Sequence, residues 1–198
     1  HRYIRRQRQM CIRDSCNDSL NRLQTDYIDL YYAHEDDPDT PIEATLEAFN
    51  SLIQSGKVRY IAASNFSAPR LQKSLEISER LGYARYIACQ DHYNLLERDF
   101  EDSLKPALEQ NGLCELPYFG LAKGFLTGKY RPGTSIESVR ASGVTAYQNE
   151  RGWALLGKLD ELAQEHQTTL SAISLAWLRA QPTVAAPIAS ARNLDQLK

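Results

Sequence analysis

The chain has 198 residues, 42% of them hydrophobic and 24% charged, and a formal net charge of −2. That length suits one domain with a sizeable core, and so even a charge balance provides no field to recruit nucleic acid or an anionic membrane. No apolar run approaches the roughly 20 residues that cross a bilayer.

Residues 1–15 carry five arginines and no regular apolar period. An Arg-rich, acid-poor stretch of this kind is open to reading as a transit peptide or an RNA-binding arm. The reading adopted is foreign sequence, which leaves residues 1–16 unassigned and 17–198 as the domain. Ser19-Leu-Asn-Arg-Leu23 then reads as the end of a helix, and Tyr27-Ile-Asp-Leu-Tyr-Tyr-Ala33 as a strand ending at His34. Thr40-Pro41-Ile-Glu43 has the form of a capping box with proline at the first helical position. Ile42, Leu46, Phe49, Leu52 and Ile53 follow at helical spacing, and Gly56 supplies the stop.

Val58 to Ala63 is a near-continuous apolar run, the composition of a strand buried on both faces. It ends at the polar pair Ser64-Asn65, with Ser67 as an N-cap and Pro69 in the first turn of the next helix. Further along, 85–89 reads as a third strand ending at Gln90 and Tyr93. Asp99 caps a helix carrying Leu104, Ala107 and Leu108, and 113–117 reads as a fourth strand ending at Tyr118. A glycine-rich turn (Gly120, Gly124, Gly128), a long loop over 131–149, two helices through Trp153 and Trp177, a strand over 184–188 and a helix opening at Asn193 complete the chain.

Strand and helix thus alternate at a period of roughly 30 residues, the size of a strand–helix–strand unit, and such crossovers make neighbouring strands parallel. An open doubly wound sheet of the dinucleotide-binding kind carries G-x-G-x-x-G after its first strand; none is present. Five strands instead end in polar or aromatic residues: His34, Ser64-Asn65, Gln90 with Tyr93, Tyr118 and Ser190. A barrel with its strand-to-helix loops on one rim predicts that pattern. The cysteines Cys11, Cys16, Cys89 and Cys114 include no CxxC pair, which reads as buried free thiols in a reducing compartment and a cytoplasmic protein.

Several stretches now become specific: Asp26-Tyr-Ile-Asp-Leu-Tyr-Tyr-Ala-His34, Gly56-Lys57-Val-Arg-Tyr-Ile with Ser64-Asn65-Phe66, Gln90 to Leu95 with Tyr93-Asn94, Gly124-Phe-Leu-Thr-Gly-Lys-Tyr130, and Pro187 to Asn193. Together, and in this order, they resemble the aldo-keto reductases, most closely the bacterial members related to potassium-channel β subunits. The resemblance covers about residues 19–198. It implies an α/β fold, the (β/α)8 TIM barrel, with NADPH as hydride donor and reversible reduction of small-molecule aldehydes or ketones to alcohols. A barrel of this type takes about 250 residues, so only about strands 4–8 are expected here.

The resemblance also assigns roles. Of the family's Asp, Tyr, Lys and His tetrad only the histidine has a counterpart, His34, which orients the substrate carbonyl. Ser64, Asn65 and Gln90 match the residues that hold the nicotinamide carboxamide, and Tyr118 matches the ring stacked on it. Leu121 and Lys123 fall in the loop over the pyrophosphate, and Ser190, Arg192 and Gln196 match the segment around the adenosine 2′-phosphate. The family's Tyr-Ser-Pro-Leu reads Tyr118-Phe119-Gly120-Leu121 here, which implies a lost hydroxyl and a looser turn.

Plainer readings stand beside these. His34 is also a plain strand-end histidine, Ser64-Asn65 turn residues, Tyr118 a core ring, and Gln90 a side chain bonded to loop backbone. His34 with Glu35, Asp36, Asp37 and Asp39 has the donor chemistry of a metal site, but solvation and the helix dipole explain that acidic loop, and no metal is expected. His92 reads as structural. Gly124 to Lys129 mimics a phosphate loop, yet Tyr130 stands where Ser or Thr is needed. The leading function is an NADPH-dependent carbonyl reductase lacking three of its catalytic residues; the alternative is a catalytically silent module that binds nucleotide or a partner, in the manner of the channel β subunits. Neither nucleic acid nor membrane is expected as a partner, and oligomeric state is not legible.

Overall fold

A computed structural model describes residues 2–134, 141–191 and 194, with side chains from Met10 onward except at 141 and 142. The order is α1 (Arg2–Leu23), β1 (Ile28–Ala33), α2 (Ile42–Gln54), β2 (Val58–Ser64), α3 (Ala68–Leu81), β3 (Tyr86–Gln90), α4 (Asp99–Ser103), α5 (Lys105–Asn111) and β4 (Cys114–Glu115). A 3-10 segment (Ala122–Thr127), α6 (Ala141–Val144), a 3-10 turn (Thr145–Tyr147), α7 (Glu150–Glu165) and α8 (Leu170–Arg179) follow. The chain divides into two compact units, one of residues 1–90 and 103–114, the other of 91–102 and 115–198. Among the described residues no helix is long and apolar enough to cross a membrane, and all four cysteines are free.

The first unit is built on a sheet of order β1-β2-β3-β4, of whose last strand it holds Cys114, with β1, β2 and β3 parallel. β1 and β2 run in register from Ile28↔Val58 to Ala33↔Ala63, and β2 and β3 meet at Ala63↔Cys89 and Ser64↔Gln90 after a shift near Ile61. Leu46, Phe49 and Leu52 of α2 and Leu71, Leu75 and Ile77 of α3 are buried, as are Ile61, Ala62 and Ala63 of β2. This burial stabilises by about 1.5–3 kcal/mol for each large side chain, more than the roughly 1 kcal/mol of a helix cap. It explains why the expected capping bonds are dispensable. Thr40 gives its hydroxyl to Asp37 (2.7 Å) rather than to α2, whose N-cap is Pro41. Ser67 stands at the N-cap of α3 but makes no side-chain capping bond.

The second unit packs around Phe125, Leu126, Tyr130, Tyr147, Leu156 and Leu159. Phe125 is its aromatic centre, 5.3 Å from the ring of Trp153 and 5.8 Å from that of Tyr147. Here side chains do cap helices: Asn149 accepts from the Gly152 amide and Thr169 from the Ala172 amide.

Two expectations are corrected, and the stretch left unassigned gains a structure. α1 runs unbroken from Arg2; the stretch holds no Gly or Pro, and Arg, Gln and Met all favour helix. The helix expected from Asp99 is two, α4 and α5, because Pro106 lacks an amide and its ring opposes a continuous turn. The strands expected over 113–117 and 184–188 shrink to β4 and a single parallel bridge, Glu115↔Val184, flanked by amide bonds from Glu115 to Thr183, Ala185 to Glu115 and Ile188 to Pro117. Arg192, Asn193 and Gln196 lie outside the described residues.

Two glycines of α7 give opposite predictions. A Cβ at Gly152 would lie 1.9 Å from the Tyr147 carbonyl oxygen, whereas one at Gly157 meets nothing within 4 Å. Gly157→Ala is expected to stabilise the fold by about 0.5–1 kcal/mol through helix propensity, and Gly152→Ala to cost about 2 kcal/mol or more through overpacking. Urea unfolding of both variants checks the contrast, and equal effects would refute it.

Candidate functional site

At the carboxyl end of the first unit's sheet, the strand register aligns polar residues into one row. Ser64 is buried, and its hydroxyl donates to the Gln90 carbonyl at 2.7 Å. The Asn65 side-chain amide donates to Ser64 Oγ (3.0 Å) and to the His34 carbonyl (3.1 Å). Asn65 holds φ = 56°, a left-handed conformation that asparagine adopts more readily than other residues with a Cβ. The structure therefore links His34, Ser64, Asn65 and Gln90 across three adjacent strands.

His34 is exposed at the rim and borders a cavity of about 370 Å³, whose lining includes Tyr31, Phe49, Phe66 and Arg70. The loop after His34 is anchored by Arg70 of α3, which donates to both carboxylate oxygens of Asp36 (2.7 and 2.6 Å) and to the Asp37 carbonyl (3.3 Å). This forked pair is half-buried, which makes it stronger than an exposed one. It engages Asp36, and no group of three or more metal-ligating side chains gathers among the described residues. Sequence reading missed Arg70, which reads as an ordinary charged helix position.

In the second unit, a parallel bridge joins His92 to Tyr118, and the Tyr118 amide donates to the Asp91 carbonyl. The two rings stack 5.4 Å apart at 15°. Phe119 meets both edge-on, at 5.4 and 5.1 Å, and Lys123 Nζ stands 5.2 Å from the centre of its ring. Leu121 is half-buried against the unit's core, and its carbonyl accepts from the Gly124 and Leu126 amides. Ser190 is exposed.

The expected loosening at Gly120 is corrected. Gly120 does not have a positive φ, and a Cβ there would come within 2.7 Å of Leu178, so it serves close packing against α8. The left-handed residues are its neighbours Phe119 (φ 52°), Ala122 (47°) and Lys123 (57°). Three such residues with side chains in five positions mark a strained segment.

Sequence reading also passed over a buried carboxylate. Glu115 is fully buried; its Oε1 accepts the Asp91 amide at 2.7 Å, while Oε2 has no hydrogen-bond partner. Burial first, and the nearby Asp91 carboxylate second, push Glu115 up to about 8, against a smaller opposing effect of the Asp91 amide. Burial together with these two carboxylates also raises Tyr118. The available signal was a glutamate within a predicted strand.

The aldo/keto reductase family model matches residues 2–198, a match that begins inside the stretch expected to be foreign. The chain is 32% identical over 207 residues to the protein called tas of Escherichia coli strain K12, covering 94% of this chain and 60% of that one. It is 34% identical over 188 residues to an uncharacterised oxidoreductase of Bacillus subtilis (94% and 56%), and 32% identical over 192 residues to an L-glyceraldehyde 3-phosphate reductase of Escherichia coli strain K12 (93% and 55%). The chain thus spans little more than half the length of these relatives. A solved glycerol dehydrogenase from Gluconobacter oxydans superposes with a TM-score of 0.82 at 29% identity, over 96% of this chain and 57% of that one. The α/β barrel fold expected from the sequence is that of this relative.

The buried carboxylate carries a pH prediction. Because Glu115 titrates near 8 in the folded protein and near 4.5 unfolded, the folded state holds a proton that the unfolded chain releases between those values. This contribution makes stability fall as pH rises from about 4.5 to 8. Glu115→Gln removes the titration, so its unfolding midpoint is expected to gain on the wild type at pH 8 relative to pH 5. Parallel pH profiles for the two proteins would contradict the assignment.

Proposed function

The chain belongs to the aldo/keto reductase family of oxidoreductases, and we propose that it binds NADPH for hydride exchange with a small aldehyde or ketone. The observation that carries this reading is the hydrogen-bonded row of His34, Asn65, Ser64 and Gln90 at the ends of three parallel strands. In α/β proteins the carboxyl ends of parallel strands are where ligands bind.

The donor set fits a nicotinamide. A primary carboxamide offers two donors and an acceptor, and a hydroxyl with two side-chain amides complements all three. In this reading Ser64, Asn65 and Gln90 hold that carboxamide and Tyr118 stacks on its ring. Leu121 and Lys123 cover the pyrophosphate, and Ser190, Arg192 and Gln196 face the 2′-phosphate, where a guanidinium supplies a permanently charged fork. When bound, NADPH supplies the hydride. His34, exposed at the rim, hydrogen-bonds the carbonyl oxygen and orients it.

Proton delivery is the weak point of this chain. A positioned acid is worth roughly 10²–10⁴-fold in rate, and in the family a tyrosine with a neighbouring lysine provides it. Tyr31 is a poor substitute: its ring packs on Phe49 at 5.6 Å, and burial raises its phenol above the ordinary range. We therefore expect binding of NADPH with little or no turnover by the chain on its own.

Titration of the chain with NADPH, followed by the cofactor's fluorescence, tests the reading. Asn65→Gly preserves the left-handed backbone and removes the carboxamide; it is expected to weaken binding about five- to tenfold and, through the lost bonds to Ser64 and His34, to cost about 1–3 kcal/mol of stability with the fold retained. Absence of NADPH binding at millimolar concentration would refute the proposal. NADPH oxidation with an aromatic aldehyde above the blank, abolished by His34→Ala, would instead overturn the expectation of catalytic silence.

A further inference from the structure

Asn94 is fully buried, and both polar atoms of its side chain are engaged. Its Oδ1 accepts from the Leu96 amide (2.9 Å) and the Glu97 amide (3.1 Å). Its Nδ2 donates to the Phe119 carbonyl (3.0 Å) and faces His92 Nε2 at 3.4 Å. The Phe119 carbonyl accepts a second bond from the Ala122 amide at 2.7 Å. Two donors on one carbonyl hold a peptide whose left-handed φ costs about 1–2 kcal/mol in a residue with a Cβ. The same amide group sets the tautomer of His92: with Nδ2 as donor, Nε2 is the acceptor and the ring proton lies on Nδ1.

The backbone bridge between His92 and Tyr118 places their side chains side by side, and the near-parallel stack covers one face of the Tyr118 ring. Phe119, edge-on to both rings, closes the arrangement. Tyr118 is itself half-buried, so its ring plane is defined by these neighbours without any ligand.

We propose that His92 and Asn94 are positioning residues that preset the plane of Tyr118 as a stacking platform for the nicotinamide ring of NADPH. The inference rests on the reading above, that Tyr118 is the nicotinamide platform, and adds two residues to it. Asn94 clamps the strained Phe119 peptide and orients His92, and His92 holds Tyr118 through a ring-on-ring contact worth a few-fold in binding when removed. The groups facing the imidazole are Tyr118 and Lys123 from the segment after β4 and Glu97 from its own loop. Burial, with Lys123, keeps the ring neutral to lower pH than usual, while Glu97 opposes this. Protonating Nε2 removes the acceptor for Asn94 and sets two donors against each other, so the platform loosens as pH falls.

The test is NADPH affinity by fluorescence titration of the full chain, from pH 8 to pH 5, alongside the thermal midpoint of each protein without cofactor. His92→Ala is expected to weaken binding about fivefold at pH 7.5. His92→Phe keeps a stacking face and is expected to stay within about twofold of wild type, and to escape the extra loss of affinity that wild type shows on acidification. Asn94→Asp keeps an acceptor for the Leu96 and Glu97 amides and loses the donor, and is expected to behave like His92→Ala. If His92→Ala fails to unfold cooperatively, His92→Leu, which fills the space without a stacking face, takes its place. Wild-type affinity and pH profile in His92→Ala, with NADPH still bound, overturn this inference alone. No NADPH binding by the wild type overturns the functional reading beneath it.

Discussion

The alignment of three parallel strands is the constraint on which the first unit's site depends. Ala33 opposite Ala63 and Ser64 opposite Gln90 bring His34, Ser64, Asn65 and Gln90 to one rim. Side chains alternate along a strand, so a slip of one residue would turn Ser64 away from the Gln90 carbonyl and bury its hydroxyl unpaired. An orphaned buried donor costs about 1–3 kcal/mol. The hydrogen bonds of the row therefore serve the fold and the candidate chemistry together: they lock the register, and the locked register orients the donors.

The second unit organises polar groups differently, through strain and burial. Its segment 119–124 holds three left-handed residues with side chains, a conformation that persists only where the surroundings over-determine it. At Phe119 Asn94 contributes to that determination, since its amide donates to the Phe119 carbonyl while its oxygen is held by the Leu96 and Glu97 amides. Glu115 shows the opposite economy. Its Oε2 is unpartnered, and burial together with the negative charge of Asp91 disfavours its carboxylate, so the favourable solution is to keep a proton near neutral pH rather than to bury a charge. An uncharged Glu115 also relieves Tyr118 of a neighbouring negative charge, which matters for a ring proposed to face a cofactor.

Most of the elements were legible because each carries a local signal. The apolar run from Val58 to Ala63, the helical spacing from Ile42 to Ile53 and the stops at Gly82 and Gly112, both left-handed, are propensities written into short stretches. The resemblance to the aldo-keto reductases likewise rested on short runs of residues, and the family match bears it out. The elements left unread or misread lacked such signals. Residues 2–9 show no amphipathic period although their residue types favour helix, and the segments around Glu115 and Val184 form a bridge too short for a pattern to announce.

What the amino-acid order determined by itself was the alternation of strand and helix, the polar character of each strand end and the positions of His34, Ser64, Asn65, Gln90 and Tyr118. These follow from periodicity, turn chemistry and composition, all of which act over a few residues. Only the tertiary structure decided how those residues are used. The Arg70–Asp36 fork spans 34 positions, Asn94 reaches Phe119 across 25, and Glu115 reaches the Asp91 amide across 24. Such contacts depend on how elements pack, and the raised proton affinity of Glu115 depends on burial, which no single stretch of sequence contains.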